Sequence, residues 1–276
     1  MSRRSFADIL LNSEFNPADE YNSLVHLLYD SDSVDHYSFY SLMRMEFGMM
    51  PFAGTATSLE DFNQRYHFQF STDDDLSGVD LDKLLLLCEY ILNFAIHMKN
   101  NVMCMQESEI LINHIQAVCD KISYQEAEIE GLSILVPRND LINAAAECAP
   151  PDVSIDLITF DYWRYRGDLE HKRQYLSKFA RELEPKRQRL EALSKRLTSD
   201  FFYLVNSLNI RHNNVSEDSK KYFEPLGSMS DQELESWYDT LRNMAACLFL
   251  LIDYSDHSES INALKKNHKA AICSAL

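Results

Sequence analysis

The chain has 276 residues and a mass of 32.0 kDa, enough for one large domain or two small ones. Only six residues are glycine, and no G-x-G-x-x-G, G-x-x-x-x-G-K-[ST] or G-x-S-x-G pattern occurs, which disfavours dinucleotide folds, P-loops and α/β-hydrolases. The formal net charge of −17 argues, over the whole chain, against nucleic acid or an anionic membrane as partner.

Residues 5–12 read as a short helix. Asn16 can cap and Pro17 can open a second one, running to about Tyr29 with Leu24, Val25, Leu27 and Leu28 as its apolar stripe. Asp35 is placed to cap a third helix over residues 36–47, and Ser58 opens another short one. Residues 49–58 and the acidic run 73–75 read as loops. Residues 80–99 make the first strong core helix, with Leu81, Leu84, Leu85, Cys88, Ile91, Leu92, Ala95 and Ile96 on one face. The next, residues 103–122, carries Ile110, Leu111, His114, Ile115 and Val118 on its apolar side, and the short linkage makes the two antiparallel. Residues 124–136 break the helical period and predict a β-hairpin with Gly131 at the turn. Asp140–Cys148 follows as an Ala-rich helix, stopped at Pro150 and Pro151. That diproline divides the chain into a helical N-terminal region, 1–150, and a C-terminal bundle, 151–276, although a tight inter-helix turn fits it equally well. From Asp152 a helical pattern runs to about Leu208, with Leu169, Leu176, Phe179, Leu183, Leu190, Leu193, Leu197, Leu204 and Leu208 on a heptad-like seam. Pro185 predicts a kink or a new helix start. Residues 209–227 read as a polar loop. Ser230 to Glu233 form a capping box for a last long helix to about Tyr254. The fold class is mainly α, a helical bundle with one small β-hairpin insertion.

Charge is unevenly spread. Twelve basic and six acidic residues lie between Arg164 and His212, net +6, against net −23 for the rest of the chain. A solvated helix face explains such a run, and so does a surface for an anionic partner. The uncharged apolar runs 90–98 and 245–252 are too short to span a bilayer, so no membrane partner is expected. The six cysteines are scattered with no C-x-x-C, and the start of the chain lacks a secretory pattern. The expectation is a cytoplasmic protein with free thiols. No H-E-x-x-H or paired E-x-x-H motif occurs; Glu107 and His114 share a helix face, but two candidate ligands are not a site. Neither a metal nor another cofactor is expected.

The densest polar cluster is Asn209, Arg211, His212, Asn213 and Asn214, between two long helices. Arg can clamp a phosphate, His can move protons near neutral pH, and Asn can orient either. Together they suit cleavage of a phosphodiester by an internal 2′-hydroxyl, which needs no metal. The same residues also make an ordinary helix stop: Asn and His tolerate the left-handed conformation, and Arg complements the helix dipole. Arg166 and His171 form a second pair, whose plain reading is an exposed first helical turn. Tyr162, Trp163 and Tyr165 alternate with Arg164 and Arg166, an order that suits base stacking or rings packed against the bundle. Arg164, Arg166, Lys172 and Arg173 are the candidate nucleic-acid contacts.

Residues 208–214, with the following Trp237, Tyr238 and Asp239 in a helical bundle, resemble the HEPN superfamily and, loosely, bacterial phage-defence proteins. The resemblance covers residues 151–276. It implies an abortive-infection or toxin-type protein acting on RNA as a metal-independent endoribonuclease. Arg211 would contact phosphate, His212 would serve as acid or base, Asn213 and Asn214 would orient, and a homodimer would join two motifs. The family places its His several residues beyond the Arg, whereas here His212 follows Arg211 directly. HEPN-like domains without catalysis serve dimerisation or partner binding. The alternative is therefore a non-catalytic helical interaction module that binds a protein partner in a defence system, to which the acidic body also points.

Overall fold

The computed structural model of the chain describes residues 15–30, 37–99, 104–211 and 224–274. Among them are twelve α-helices and one two-stranded antiparallel sheet, the mainly α architecture that the periodicity predicts. The chain divides into two compact units, Met1–Pro137 and Arg138–Leu276. No helix among the described residues is long and apolar enough to cross a membrane.

In the first unit, α1 (Pro17–Tyr29), α2 (Phe39–Glu46), α3 (Leu59–Tyr66), α4 (Leu81–Met98) and α5 (Met105–Ile122) precede strands β1 (Tyr124–Ile129) and β2 (Leu132–Pro137). Small polar residues start the helices: Asn16, Ser38, Ser58 and Asp80 each accept a backbone N–H from the first turn. Ser38 takes the capping place expected of Asp35, which with His36 and the helix expected over residues 5–12 lies outside the described residues. Helix α4 is the hub, with Leu84, Leu85, Cys88, Ile91 and Ala95 fully buried and α1, α5 and β2 packed on it. On α5, Leu111, Ile115 and Val118 are buried as the periodicity predicts, but Ile110 points outward at 47% exposure.

The hairpin turn is Glu130 and Gly131, both at positive φ (51° and 80°). A two-residue turn of that hand matches strand twist, and glycine adopts it without strain. Strand β2 is tied to α4 by side chains. The Leu135 N–H donates to Glu89 Oε1 at 2.9 Å. Asn93 accepts the Ser133 N–H at 2.9 Å and donates to the Ser133 carbonyl at 2.7 Å. Backbone groups that an edge strand would leave open are thereby satisfied by a helix.

The second unit contains α6 (Asp140–Cys148), α7 (Pro151–Thr159), α8 (Leu169–Leu183), α9 (Arg187–Leu193), α10 (Lys195–Ser207), α11 (Glu224–Ser228) and α12 (Asp231–Ser274). Pro150 and Pro151 make a tight inter-helix turn, with Pro151 as the first residue of α7. The helical run expected from Asp152 to Leu208 is interrupted three times. A turn at Trp163–Tyr165 is followed by Gly167 at φ 78°, where a Cβ would be strained. Pro185, which has no N–H to donate, falls in the turn Glu184–Lys186. Ser194 then separates α9 from α10. The apolar seam survives these breaks in part: Leu176, Phe179, Leu183, Leu190 and Leu208 share one core with Tyr238, Leu241, Ala245 and Leu248 of α12. Leu169, Leu197 and Leu204 are only partly buried against it, and Val205, off the predicted seam, takes a core place. Leu193 is left out of it, at 39% exposure.

Two expectations for the end of the chain are corrected. Glu224–Ser228, placed in the polar loop, is a short helix; residues 212–223 lie outside the described residues. Helix α12 continues past Tyr254 to Ser274, and its sequence contains neither Gly nor Pro to stop it. Its start is the expected capping box. Ser230 Oγ accepts the Glu233 N–H at 3.2 Å, and the Glu233 carboxylate accepts the Ser230 N–H at 2.9 Å. Ser230→Ala is expected to lower the stability of the full chain's C-terminal unit by about 1 kcal/mol. Urea titration followed by helical circular dichroism measures this, and an unchanged midpoint contradicts it.

Candidate functional site

Helix α10 ends at Ser207, and Asn209 takes a φ of 58°, the left-handed conformation that Asn tolerates beyond a helix end. Leu208 and Ile210 are buried, and the Tyr238 hydroxyl donates to the Leu208 carbonyl at 3.1 Å. Arg211 then turns back onto the end of α8. Its guanidinium donates to the Ala180 carbonyl at 3.0 Å, pairs with the Glu184 carboxylate and lies over the Phe202 ring at 5.6 Å. Carbonyls at a helix C-terminus attract a cation, and Arg211 is that cation here. His212, Asn213 and Asn214 lie outside the described residues.

The second Arg–His pair sits at the start of α8. Arg166 is exposed. Asp168 caps the helix by accepting the His171 N–H at 2.9 Å. The His171 ring stacks on Tyr165 with centroids 3.7 Å apart and meets Tyr175 edge-on at 4.5 Å. Its Nε2 is buried with no hydrogen-bond partner among the described residues. Tyr162 packs against both Trp163 and Tyr165, while Arg164 covers the Trp163 ring at 5.4 Å from the exposed side.

Lys172 and Arg173 have carboxylates of their own. Lys172 is 5% exposed, and its ammonium lies 2.8 Å from both Glu235 and Asp239 of α12 and 5.1 Å from the centre of the Phe160 ring. Arg242, 4% exposed, pairs with Asp161 and lies 5.6 Å over the same ring. Buried Asp156 meets Lys178 at 2.7 Å. Arg173 grips Glu170 through two bonds of 2.6 and 2.8 Å. A charge removed from water costs several kcal/mol unless it is paired, so burial itself requires the contacts of Lys172, Arg242 and Asp156, while the Arg173–Glu170 pair lies nearer the surface. Pairing extends to other residues of the basic run. Among the described residues, Lys172, Arg173, Lys178, Lys186, Arg187, Arg189, Arg196 and Arg211 all form ion pairs within this unit, eight of the twelve basic residues between Arg164 and His212.

Protonation follows from these surroundings. Burial lowers the Arg242 guanidinium to about 10, which leaves it charged at neutral pH. Burial raises the Asp156 carboxyl against the pull of Lys178. At Glu235 burial also raises, but the Gly167 N–H it accepts at 2.9 Å and the Lys172 ammonium outweigh it and hold the carboxyl below its ordinary value. Hydrogen bonds from Arg173 and Gln174 bring Glu170 down to about 2.

Asp156, Asp161, Lys178, Glu235 and Arg242 are singled out by no motif, and Asp239 only by the resemblance, yet three members of the network carry a signal in the sequence. Lys172 lies between Leu169 and Leu176, Arg242 between Tyr238 and Ala245, and Asp156 between Val153 and Phe160, each at a spacing that the helical period assigns to the core. A charge on an apolar stripe demands a buried partner. In the first unit, Glu107 and His114 line a cavity of about 570 Å³ together with His26 and Asp30. The His114 ring faces Glu20 at 3.4 Å, and the His26 ring meets Asp30 at 3.0 Å.

Glu170 and Glu235 both titrate below the ordinary value of 4.5, so the stability they add is complete above that pH and is lost as pH falls below it, toward about 2 for Glu170. Asp156, raised, works in the opposite sense. The thermal midpoint is expected to fall as pH is lowered from 4.5 to 2, less steeply in Arg173→Ala, where Glu170 loses its partner; equal slopes contradict the assignment. No family model matches the chain, and no curated protein or solved structure matches it.

Proposed function

We propose that the chain is a helical interaction module, HEPN-like in its C-terminal unit and non-catalytic, that binds a protein partner. The observation that carries this reading is the internal pairing of the basic run. RNA affinity comes from cations that exchange solvent counterions for phosphates. Here most of those cations already face carboxylates, and Arg211 closes a helix end. The net charge of −23 outside the run repels nucleic acid and favours a partner with a basic surface. Helix α12 adds a second support. Its last core residue is Ile252, and beyond it Ile261 and Leu264 are 38% and 71% exposed, three apart and so on one face. A helix that has left its core is marginal in water until its apolar positions are covered. The HEPN resemblance makes a bacterial defence system the setting and a second copy of the chain one possible partner.

A metal-independent endoribonuclease is the second reading, and one observation favours it. The buried Nε2 of His171 has no hydrogen-bond partner among the described residues, and it stands on the first turn of α8, where a helix N-terminus attracts anions, close in sequence to the exposed Arg166.

The test pairs two measurements on the full chain. Total RNA is incubated in EDTA with wild type and with Arg166→Ala, His171→Ala, Arg211→Ala and His212→Ala. Association in solution, alone and with the cognate lysate after nuclease treatment, is compared with Ile261→Asp/Leu264→Asp. The proposal expects no cleavage, and a stoichiometric association weakened about tenfold or more in the double variant. Its thermal stability should stay within about 0.5 kcal/mol, as for other surface changes. Cleavage by wild type that either Arg–His pair of variants abolishes overturns the proposal in favour of the nuclease.

A further inference from the structure

A cavity of about 430 Å³ opens on the first unit with four aromatic residues and two acids in its lining. Tyr29 of α1, Tyr40 of α2, and Phe68 and Phe70 of the segment after α3 bring the rings; Glu60 and Asp74 bring the carboxylates. No Lys, Arg or His is among the residues that line it. The rings are held in place before any ligand arrives. Tyr29 and Tyr40 lie 4.8 Å apart, Phe68 and Phe70 6.3 Å apart at 23°, and the Tyr29 hydroxyl donates to the Phe70 carbonyl at 2.8 Å. Behind them Tyr90 packs 5.1 Å from Phe70 and donates to Asn63 at 3.0 Å.

Both carboxylates of the lining already hold a cation, and they differ in how firmly. Asp74 accepts from the Tyr21 hydroxyl at 2.5 Å and from Lys83 at 3.2 Å, which fixes its carboxylate without removing it from the lining. Glu60 pairs with Arg44 at 2.5 Å, but both side chains are more than half exposed. Such a pair is worth little and can share its carboxylate with another cation. Burial raises the Tyr29 phenol to about 12 and also raises Tyr40, with Glu60 adding to the effect, so both rings stay neutral. Ring faces are electronegative and bind cations that give up water readily, a property of methylated ammonium and guanidinium groups rather than of small inorganic ions. We infer that this cavity binds an organic cation, a methylated ammonium or guanidinium group, carried by a small molecule or by a basic protein side chain. It stands on residues of the first unit alone and does not rest on the interaction reading above.

The full chain is titrated by calorimetry with tetramethylammonium, choline, a trimethyllysine peptide, an arginine peptide and neohexyl alcohol, the uncharged isostere of choline. Saturable binding of at least one cation is expected, with the alcohol about tenfold weaker or worse than choline. A peptide that binds more tightly than choline assigns the guest to a protein side chain, and the reverse order to a small molecule; both uphold the site. Tyr40→Leu should weaken binding about tenfold, and Glu60→Gln, an exposed change, should weaken it with the helical signal intact. Absence of saturable binding by every cation, equal binding of the alcohol, or affinity unchanged in Glu60→Gln and Tyr40→Leu overturns the inference.

Discussion

Phe160 lies within reach of two buried cations, Lys172 of α8 and Arg242 of α12, and the arrangement of the C-terminal unit depends on both being paired. A desolvated cation gains about 2 kcal/mol from an aromatic face, which does not cover its loss of water. The carboxylates make up the difference. Glu235 and Asp239 are one helical turn apart on α12, and both reach Lys172; Arg242, three residues on, reaches Asp161 just after α7. Those contacts fix how α12 is rotated about its axis. With that rotation set, Tyr238, Leu241, Ala245 and Leu248 face the core. Buried ion pairs add little net stability over apolar residues of the same size, so their role in this unit is register.

A more exposed counterpart lies around Phe202, where Arg187 and Arg211 are 4.8 and 5.6 Å from the ring centre. Glu184 receives both guanidinium groups, at 3.9 Å for Arg187 and closer for Arg211. These two rings engage Lys172, Arg187 and Arg211 of the basic run, together with Arg242 of α12. A run of net +6 reads as a surface for anions when it is seen as a string; folded, eight of its twelve cations face carboxylates of the same unit, with Lys172 in the interior and the others nearer the surface. This is why the interaction reading gains on the nuclease reading. The far end of α12 stays exposed in this unit, and the acidic excess of the chain lies outside the run.

The parts of this fold that were legible are those with local causes. Gly131 marks a turn because a two-residue hairpin loop needs positive φ; Ser230 and Glu233 mark a helix start because each satisfies the other's backbone; α4 is apolar on a helical period. Two helix boundaries were missed for equally local reasons of weaker signal. Gly167 is one glycine amid charged residues, and Ser194 looks like any helix-surface serine. The end of α12 was placed too early because the apolar period stops near Ile252, although nothing in the backbone stops the helix. The network around Phe160 was hidden for another reason. Lys172 and Glu235 are far apart in sequence, and spacing within a helix says that a buried charge needs a partner without saying which one. Arg211 was legible as a helix-end cation, but its acceptor, Ala180, belongs to a different helix.

The most direct test of this account is a double-mutant cycle on Arg242 and Asp161, followed by urea unfolding of the intact chain. Asp161→Leu alone, which strands the buried guanidinium, is expected to cost about 3 kcal/mol. Adding Arg242→Met to it should restore most of that loss, because the uncompensated charge is then gone. Losses that simply add, with the double variant the least stable of the four proteins, would contradict the claim that pairing of buried charge organises this unit.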